Sequence, residues 1–276
     1  MEYLYVAITF LFGAMIGSFV NVIADRYNTG LSFLKGRSFC FSCGNTLTKR
    51  DLFPIFSFLF LRGKCRHCES KIPSSTFWLE VCMGFLSVLA VFKSGLWNSL
   101  ELRAWSLEEG LSYLLLIAIF ATILLLSVYD LRHFIIPDPF LVAFFVLALG
   151  YKFLSSSFSE IGFDLIAGII LLLPFLIIFI VSKGRWIGFG DVKYIFFIGF
   201  FLGLSVGLSA VVLSFWIGAF VSLSILLFKK MGLLNRFNNL TIKSEIPFGP
   251  FLSLGIIIGF WLEMDLFQIK TLLNVF

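Results

Sequence analysis

Charge is what this sequence has least of. Asp, Glu, Lys and Arg make up 13% of its 276 residues, against a hydrophobic share of 59%. A soluble domain of ordinary composition carries about 25% charged residues. One aqueous core cannot hide this much apolar surface, so the solvent for most of the chain must be lipid. A basic leading region is also missing. Glu2 is the only charge before Asp25, and the apolar stretch from Tyr3 to Ala24 is longer than the roughly 7–15 residues of a signal-peptide core. The start therefore reads as a retained first membrane helix. No internal repeat, low-complexity linker or glycine-rich, strand-linked nucleotide motif is visible. The net charge of +5 is modest. It calls for no nucleic-acid partner, because membrane proteins gather Lys and Arg in cytoplasmic loops.

What the chain has instead is a series of long apolar runs. Its mean hydropathy is +1.02, and Phe alone contributes 37 residues. A membrane helix needs about 20 mostly apolar residues, and eight segments approach that: 3–24, 77–95, 110–129, 139–154, 161–182, 192–206, 208–228 and 249–268. The division between the sixth and seventh, around Leu204 to Ser209, is the least defined. Gly203 and Gly207 permit a tight reversal there. With the N-terminus on the periplasmic side, the inward loops are 25–76, 130–138, 183–191 and 229–248. Of the 21 Lys and Arg residues, all but Lys93, Arg103, Lys152 and Lys270 then fall on the cytoplasmic side, as the positive-inside rule requires. The expected fold is an all-α polytopic membrane protein of about eight transmembrane helices, with a small cytoplasmic zinc-binding insert between helices 1 and 2. Its parts are a first helix (1–24), the cysteine-bearing segment (25–76) and a membrane domain (77–276).

Four of the five cysteines form two pairs in that insert, Cys40/Cys43 and Cys65/Cys68, separated by residues 44–64. Each C-x2-C turn presents two thiolates, and two turns complete a tetrahedral zinc site. Disulfides or free thiols are the competing readings, and a reducing cytoplasm disfavours the disulfides. A segment of this length has too little core to hold itself, and bound Zn2+ would supply folding energy. The site is expected to be closed and structural. Cys82 lies in an apolar stretch and reads as packing.

Two carboxylates stand at the inner rim of the bilayer in this topology. Asp130 ends the third helix and Asp191 opens the sixth, after Gly188-Phe189-Gly190. Ionisable groups near membrane depth are costly and point to function. Were the two to meet, they would share a proton and could run general acid–base hydrolysis of a peptide. Gly188 and Gly190 would let an extended substrate backbone approach Asp191 closely. The alternative remains open on these residues alone: Asp191 could be an ordinary helix-start acid stabilised by the macrodipole, and Asp130 a solvated partner of Arg132. Asp138 reads as a cap of the fourth helix, with Pro139 at its first position. His133 reads as a bystander.

Taken together, these pieces resemble the type 4 prepilin peptidases over nearly the whole chain. The resemblance runs through Gly17-Ser18-Phe19-Val20-Asn21-Val22 and Arg26, both cysteine knuckles, Asp51…Pro54…Ser57, Leu61 to Cys68, Glu80, Asp130 with Ile136-Pro137-Asp138, and Gly188-x-Gly190-Asp191. It implies an aspartyl endopeptidase with Asp130 and Asp191 as the catalytic pair. The implied substrates are type IV prepilins or type II secretion pseudopilins, whose basic leader is removed. It further implies N-methylation of the new N-terminus with S-adenosyl-L-methionine, for which Gly17, Ser18, Asn21, Arg26, Asp51 and Glu80 are the candidate residues. Lys49 and Arg50 depart from the aromatic residues usual in the family before Asp51. The implied location is the bacterial inner membrane, with the active site at the cytoplasmic face. Two other readings remain: a peptidase without methyltransferase activity, and a zinc-stabilised membrane transporter or sensor using the aspartates as a proton relay.

Overall fold

A computed structural model of the chain describes residues 2–97, 106–231 and 246–268. Among these the fold is all-helical, with only two isolated β-bridges, Phe39 to Thr46 and Lys64 to Lys71. The helices are α1 (Glu2–Arg26), α2 (Phe56–Phe60), α3 (Ser74–Lys93), α4 (Leu107–His133), α5 (Asp138–Ser155), α6 (Phe158–Ser182), α7 (Phe189–Lys230) and α8 (Gly249–Leu262), with a 3-10 turn at Lys49–Leu52. Six of them are long and apolar enough to cross a membrane, and α8 is a shorter apolar helix.

The 42 residues of α7 would reach about 63 Å as one rod, twice the hydrocarbon thickness of a bilayer. They do not form one rod. Gly203 has φ 76° and ψ 178°, a conformation essentially reserved for glycine. Beyond it the chain runs back on itself: a Cβ on Gly207 would lie 3.2 Å from the Cα of Gly199. Eight residues apart on one helix, those positions would be separated by about 12 Å. Thus α7 is a hairpin of two arms, and the apolar helical segments number about eight, as expected. The reversal falls at Gly203, one of the two glycines the sequence reading named for it.

Two other boundaries differ. The third predicted helix continues past residue 129 to His133, so Asp130 lies inside the last turn of α4. The last one stops at Leu262, where Glu263 turns left-handed with φ 46°.

The chain forms two compact units, Met1–Leu125 and Leu126–Phe276, which divide within α4. In the first, α1 crosses α3 at very short range. A Cβ on Gly17 would sit 2.7 Å from the Leu79 carbonyl oxygen and 2.9 Å from the Glu80 Cα. Small residues let helix backbones approach this closely when lipid supplies no hydrophobic drive. In the second unit the same device joins α6 to α7, where a Cβ on Gly199 would sit 2.8 Å from the Gly168 Cα. Its centre holds the fully buried Phe144, Tyr194 and Phe200. The Tyr194 hydroxyl is satisfied by Ser253 of α8 at 2.9 Å. At the far end, Lys152 of α5 pairs with Asp164 of α6 at 2.5 Å, beside the bend at Gly203.

Candidate functional site

The last turn of α4 closes when the Phe134 N–H donates to the Asp130 carbonyl at 2.8 Å. Phe134 takes φ 56° to do so, an unusual left-handed state for an aromatic residue. Asp130 itself is 5% exposed. The chain then runs through Ile135-Ile136-Pro137 into α5. Asp138, expected to cap that helix, does not. Pro137 occupies the cap position, with no side-chain cap bond, and the Asp138 carboxylate pairs instead with Lys193. The register puts Asp138 one residue inside the helix, where its carboxylate cannot act as the cap.

Asp191 is the third residue of α7, after Gly188 at the cap position. The two glycines have different neighbours. A Cβ on Gly188 would stand 3.1 Å from Asp191 Oδ2, crowding the carboxylate directly. A Cβ on Gly190 would stand 3.0 Å from the Ile136 Cβ. Gly190 therefore seats the loop that follows Asp130. That contact and the Lys193–Asp138 pair lay the segment after one aspartate onto the turn that carries the other. Lys193 also lies over the Phe189 ring, 4.9 Å from its centroid.

Asp130 and Asp191 line one cavity of about 570 Å³ within the second unit. Its walls are mostly apolar and include Phe134, Phe175, Ile178, Trp186, Phe215 and Phe248, with Arg185 as a cation. Phe175 stacks on Phe215 at 5.7 Å, and Phe215 meets Phe248 at 4.6 Å. A cleft with many apolar side chains that holds two carboxylates suits general acid–base chemistry on an uncharged bond. One participant went unread in the sequence: the Gly249 N–H, opening α8, donates to Asp130 Oδ2 at 2.8 Å. The Pro247-Phe248-Gly249-Pro250 run marks a helix start, but nothing in it points to a residue so far away.

In the first unit the four paired cysteines converge. Their sulfurs all lie within 4.8 Å of one another, and Cys40 Sγ is 3.8 Å from Cys68 Sγ. Tetrahedral bonds of about 2.3 Å to a zinc ion place sulfurs about 3.8 Å apart, so the set fits one four-coordinate metal. All five cysteines are free of disulfides. The knuckles are alike. Cys40 N donates to the Asn45 carbonyl and Cys65 N to that of Ser70, both at 2.9 Å. Gly44 and Glu69 each follow the second cysteine of their pair with positive φ. Hydrogen bonding from the Ser70 hydroxyl, aided by nearby backbone amides, holds the Cys40 thiol down to about 6, and Ser70 likewise lowers Cys68. Against the backbone bond from Asn45, desolvation and the neighbouring thiols push Cys43 up to about 11. Clustered thiols cannot all ionise without a cation among them.

The residues singled out for methyl transfer are engaged in holding this unit together. Arg26 is buried; its guanidinium donates to the carbonyls of Ser32 (2.7 Å) and Arg37 (3.1 Å) and lies over the Phe39 ring. Asn21 donates to Asp25 at 3.0 Å. Asp51 pairs with Arg66 at 2.7 Å and accepts from the Thr48 hydroxyl at 2.6 Å. Burial pushes the Asp51 carboxyl up, but the bonds from Thr48 and Arg66 outweigh it and hold it below the usual carboxylate range. Glu80 accepts from the Ile55 N–H at 2.6 Å and from Ser18, and Gly17 makes the α1–α3 crossing.

The helices, the paired carboxylates and the cysteine cluster define a multi-pass membrane protein with a candidate acid–base site. Residues 11–94 match the bacterial peptidase A24 N-terminal domain, and residues 115–223 match the type IV leader peptidase family. Together these matches span well over half of the sequence, and the chain belongs to the type IV leader peptidase family. Proteins named prepilin leader peptidase/N-methyltransferase are similar along most of its length. The one from Bacillus subtilis is 28% identical, covering 92% of this chain and 93% of its own. That from Aeromonas hydrophila is 26% identical, covering 92% and 90%. One from Vibrio cholerae is 28% identical over 55% of this chain and 58% of its own. No solved structure matches.

Proposed function

We propose that this chain is a membrane aspartyl endopeptidase with Asp130 and Asp191 as its catalytic pair. It removes the basic leader from type IV prepilins or type II secretion pseudopilins, cutting between a glycine and the first residue of the mature chain. The observation that carries this reading is that two acids from separate helices line one cavity. One carboxylate takes a proton from water as the oxygen attacks the scissile carbonyl. The other donates its proton to the carbonyl oxygen. Collapse of the tetrahedral species then breaks the C–N bond, with a proton passing to the leaving nitrogen. The same chain, with its N-terminus periplasmic, sits in the inner membrane and places this cavity at the cytoplasmic face. There the positive leader of a membrane-lodged substrate is retained. A glycine beside the cut eases local unwinding of the substrate helix.

The cysteine unit binds one structural Zn2+. The relatives' names and the retained N-terminal part support N-methylation of the new amino group, with S-adenosyl-L-methionine as donor. Gly17, Ser18, Asn21, Arg26, Asp51 and Glu80 are the residues proposed to serve that transfer, alongside their contacts within the fold.

The test is cleavage of a synthetic prepilin by the purified protein. Asp130→Asn and Asp191→Asn should each lower the rate by about 10²–10⁴-fold, with unchanged protein level. Cleavage near the wild-type rate in either variant would end the aspartyl reading. The mass of the mature N-terminus, with and without the methyl donor, reads methylation separately.

A further inference from the structure

We propose that Gly249 is a positioning residue of this peptidase site: its N–H and its bare Cα fix the Asp130 carboxylate from the first turn of α8. The inference rests on the aspartyl reading above and deepens it.

A carboxylate that is 5% exposed needs donors to offset its lost hydration. The Gly249 N–H, at 2.8 Å from Oδ2, is the hydrogen bond Asp130's side chain makes among the described residues. The donor has reason to be free. The first N–H groups of a helix have no partner within it, and they lie at the positive end of its dipole. The sequence leaves this particular one available. Pro250 follows and has no N–H. The next two, from Phe251 and Leu252, donate to the Phe248 carbonyl at 3.0 and 3.1 Å. The start of α8 thus offers Asp130 one well-placed donor.

The second observation is steric. A Cβ on Gly249 would lie 2.7 Å from Asp130 Oδ2 and 3.2 Å from both its Cβ and Cγ. Any side chain there must displace the carboxylate or push α8 away. Glycine is required by contact, not by backbone conformation. Phe248 fixes the register of this turn by packing on Phe215 at 4.6 Å. The carboxylate plane of an aspartate is otherwise loosely set, since its terminal torsion is broad. With Oδ2 engaged by Gly249, Oδ1 is the carboxylate oxygen left for proton transfer. Gly249 has no side chain to react and its N–H is directed at Asp130, so it acts through Asp130.

The experiment uses the purified full chain and a synthetic prepilin, with Asp130→Asn as benchmark. Gly249→Ala should lower kcat by about 10- to 100-fold, the worth of a hydrogen bond to a charged group, while KM stays within about 2-fold. Glycolic acid incorporated at position 249 replaces the N–H with an ester oxygen and adds no side chain. It should lower kcat by about 10-fold with the same unchanged KM, and it decides the matter if Gly249→Ala does not fold. Pro250→Ala keeps the donor and should stay within about 2-fold. Wild-type kcat in the ester variant, or a loss confined to KM, overturns the positioning role while Asp130→Asn remains inactive. An active Asp130→Asn enzyme would instead sink the aspartyl reading itself.

Discussion

At the scale of single residues, the first unit turns on Glu80. This side chain is 5% exposed in α3 and holds the Ile55 N–H at 2.6 Å. Ile55 needs holding, because its φ of 63° and ψ of −55° are strained for a β-branched residue. The carboxylate therefore pins a turn that the backbone would otherwise leave. If that is its work, acceptor geometry matters more than charge. Glu80→Gln keeps an oxygen at the right reach and should change thermal stability by less than about 1 kcal/mol. Glu80→Ala leaves a buried donor unpaired and should cost about 1–3 kcal/mol. Methylation measured on the same two variants separates structure from chemistry. A stable Glu80→Gln protein that no longer methylates would make Glu80 a chemical participant after all.

At the scale of elements, α7 carries the clearest prediction. Its two arms depend on Gly203, whose φ of 76° and ψ of 178° no L residue adopts cheaply. A Cβ there would also approach Asp164 Oδ1 at 3.1 Å, beside the Lys152 pair. Gly203→Ala should destabilise the protein by about 1–3 kcal/mol, seen as a lower thermal midpoint in detergent. An unchanged midpoint would mean that the reversal does not need this conformation. The sequence made this bend legible because apolar runs and glycines delimit membrane segments by themselves. Asp130 and Asp191 were legible for the same reason, as acids at the ends of such runs, and the cysteine knuckles were legible through their spacing. What stayed hidden was pairing across distance. The bond from Gly249 to Asp130 spans 119 positions and the Lys193–Asp138 pair spans 55. The close approach of Gly190 to Ile136 was hidden in the same way. Local rules suggested a cap for Asp138, which the register places one residue inside the helix.

At the scale of the whole molecule, the proposed chemistry and the proposed metal site lie in different units. Every residue lining the carboxylate cavity lies beyond Leu126, and all four clustered cysteines lie before Leu125. The segment around the knuckles has bends, single bridges and short turns in place of a large apolar core, so a metal bound at the proposed site would carry much of its folding energy. Local stability is then uneven, with the knuckle segment at the low end and the glycine-packed helix crossings at the high end. Replacing Cys40 and Cys43 together by Ser should drop the zinc content from about one ion per chain towards none. It should also speed proteolysis between residues 27 and 73 and cut methylation by about 10-fold or more. Leader cleavage should fall by less than about 3-fold, because no group that lines its cavity depends on the metal. Zinc content, digestion and both activities can be read from one preparation. Cleavage that declines in step with methylation would show that the metal unit governs the carboxylate pair, and the separation of roles between the two units would have to be abandoned.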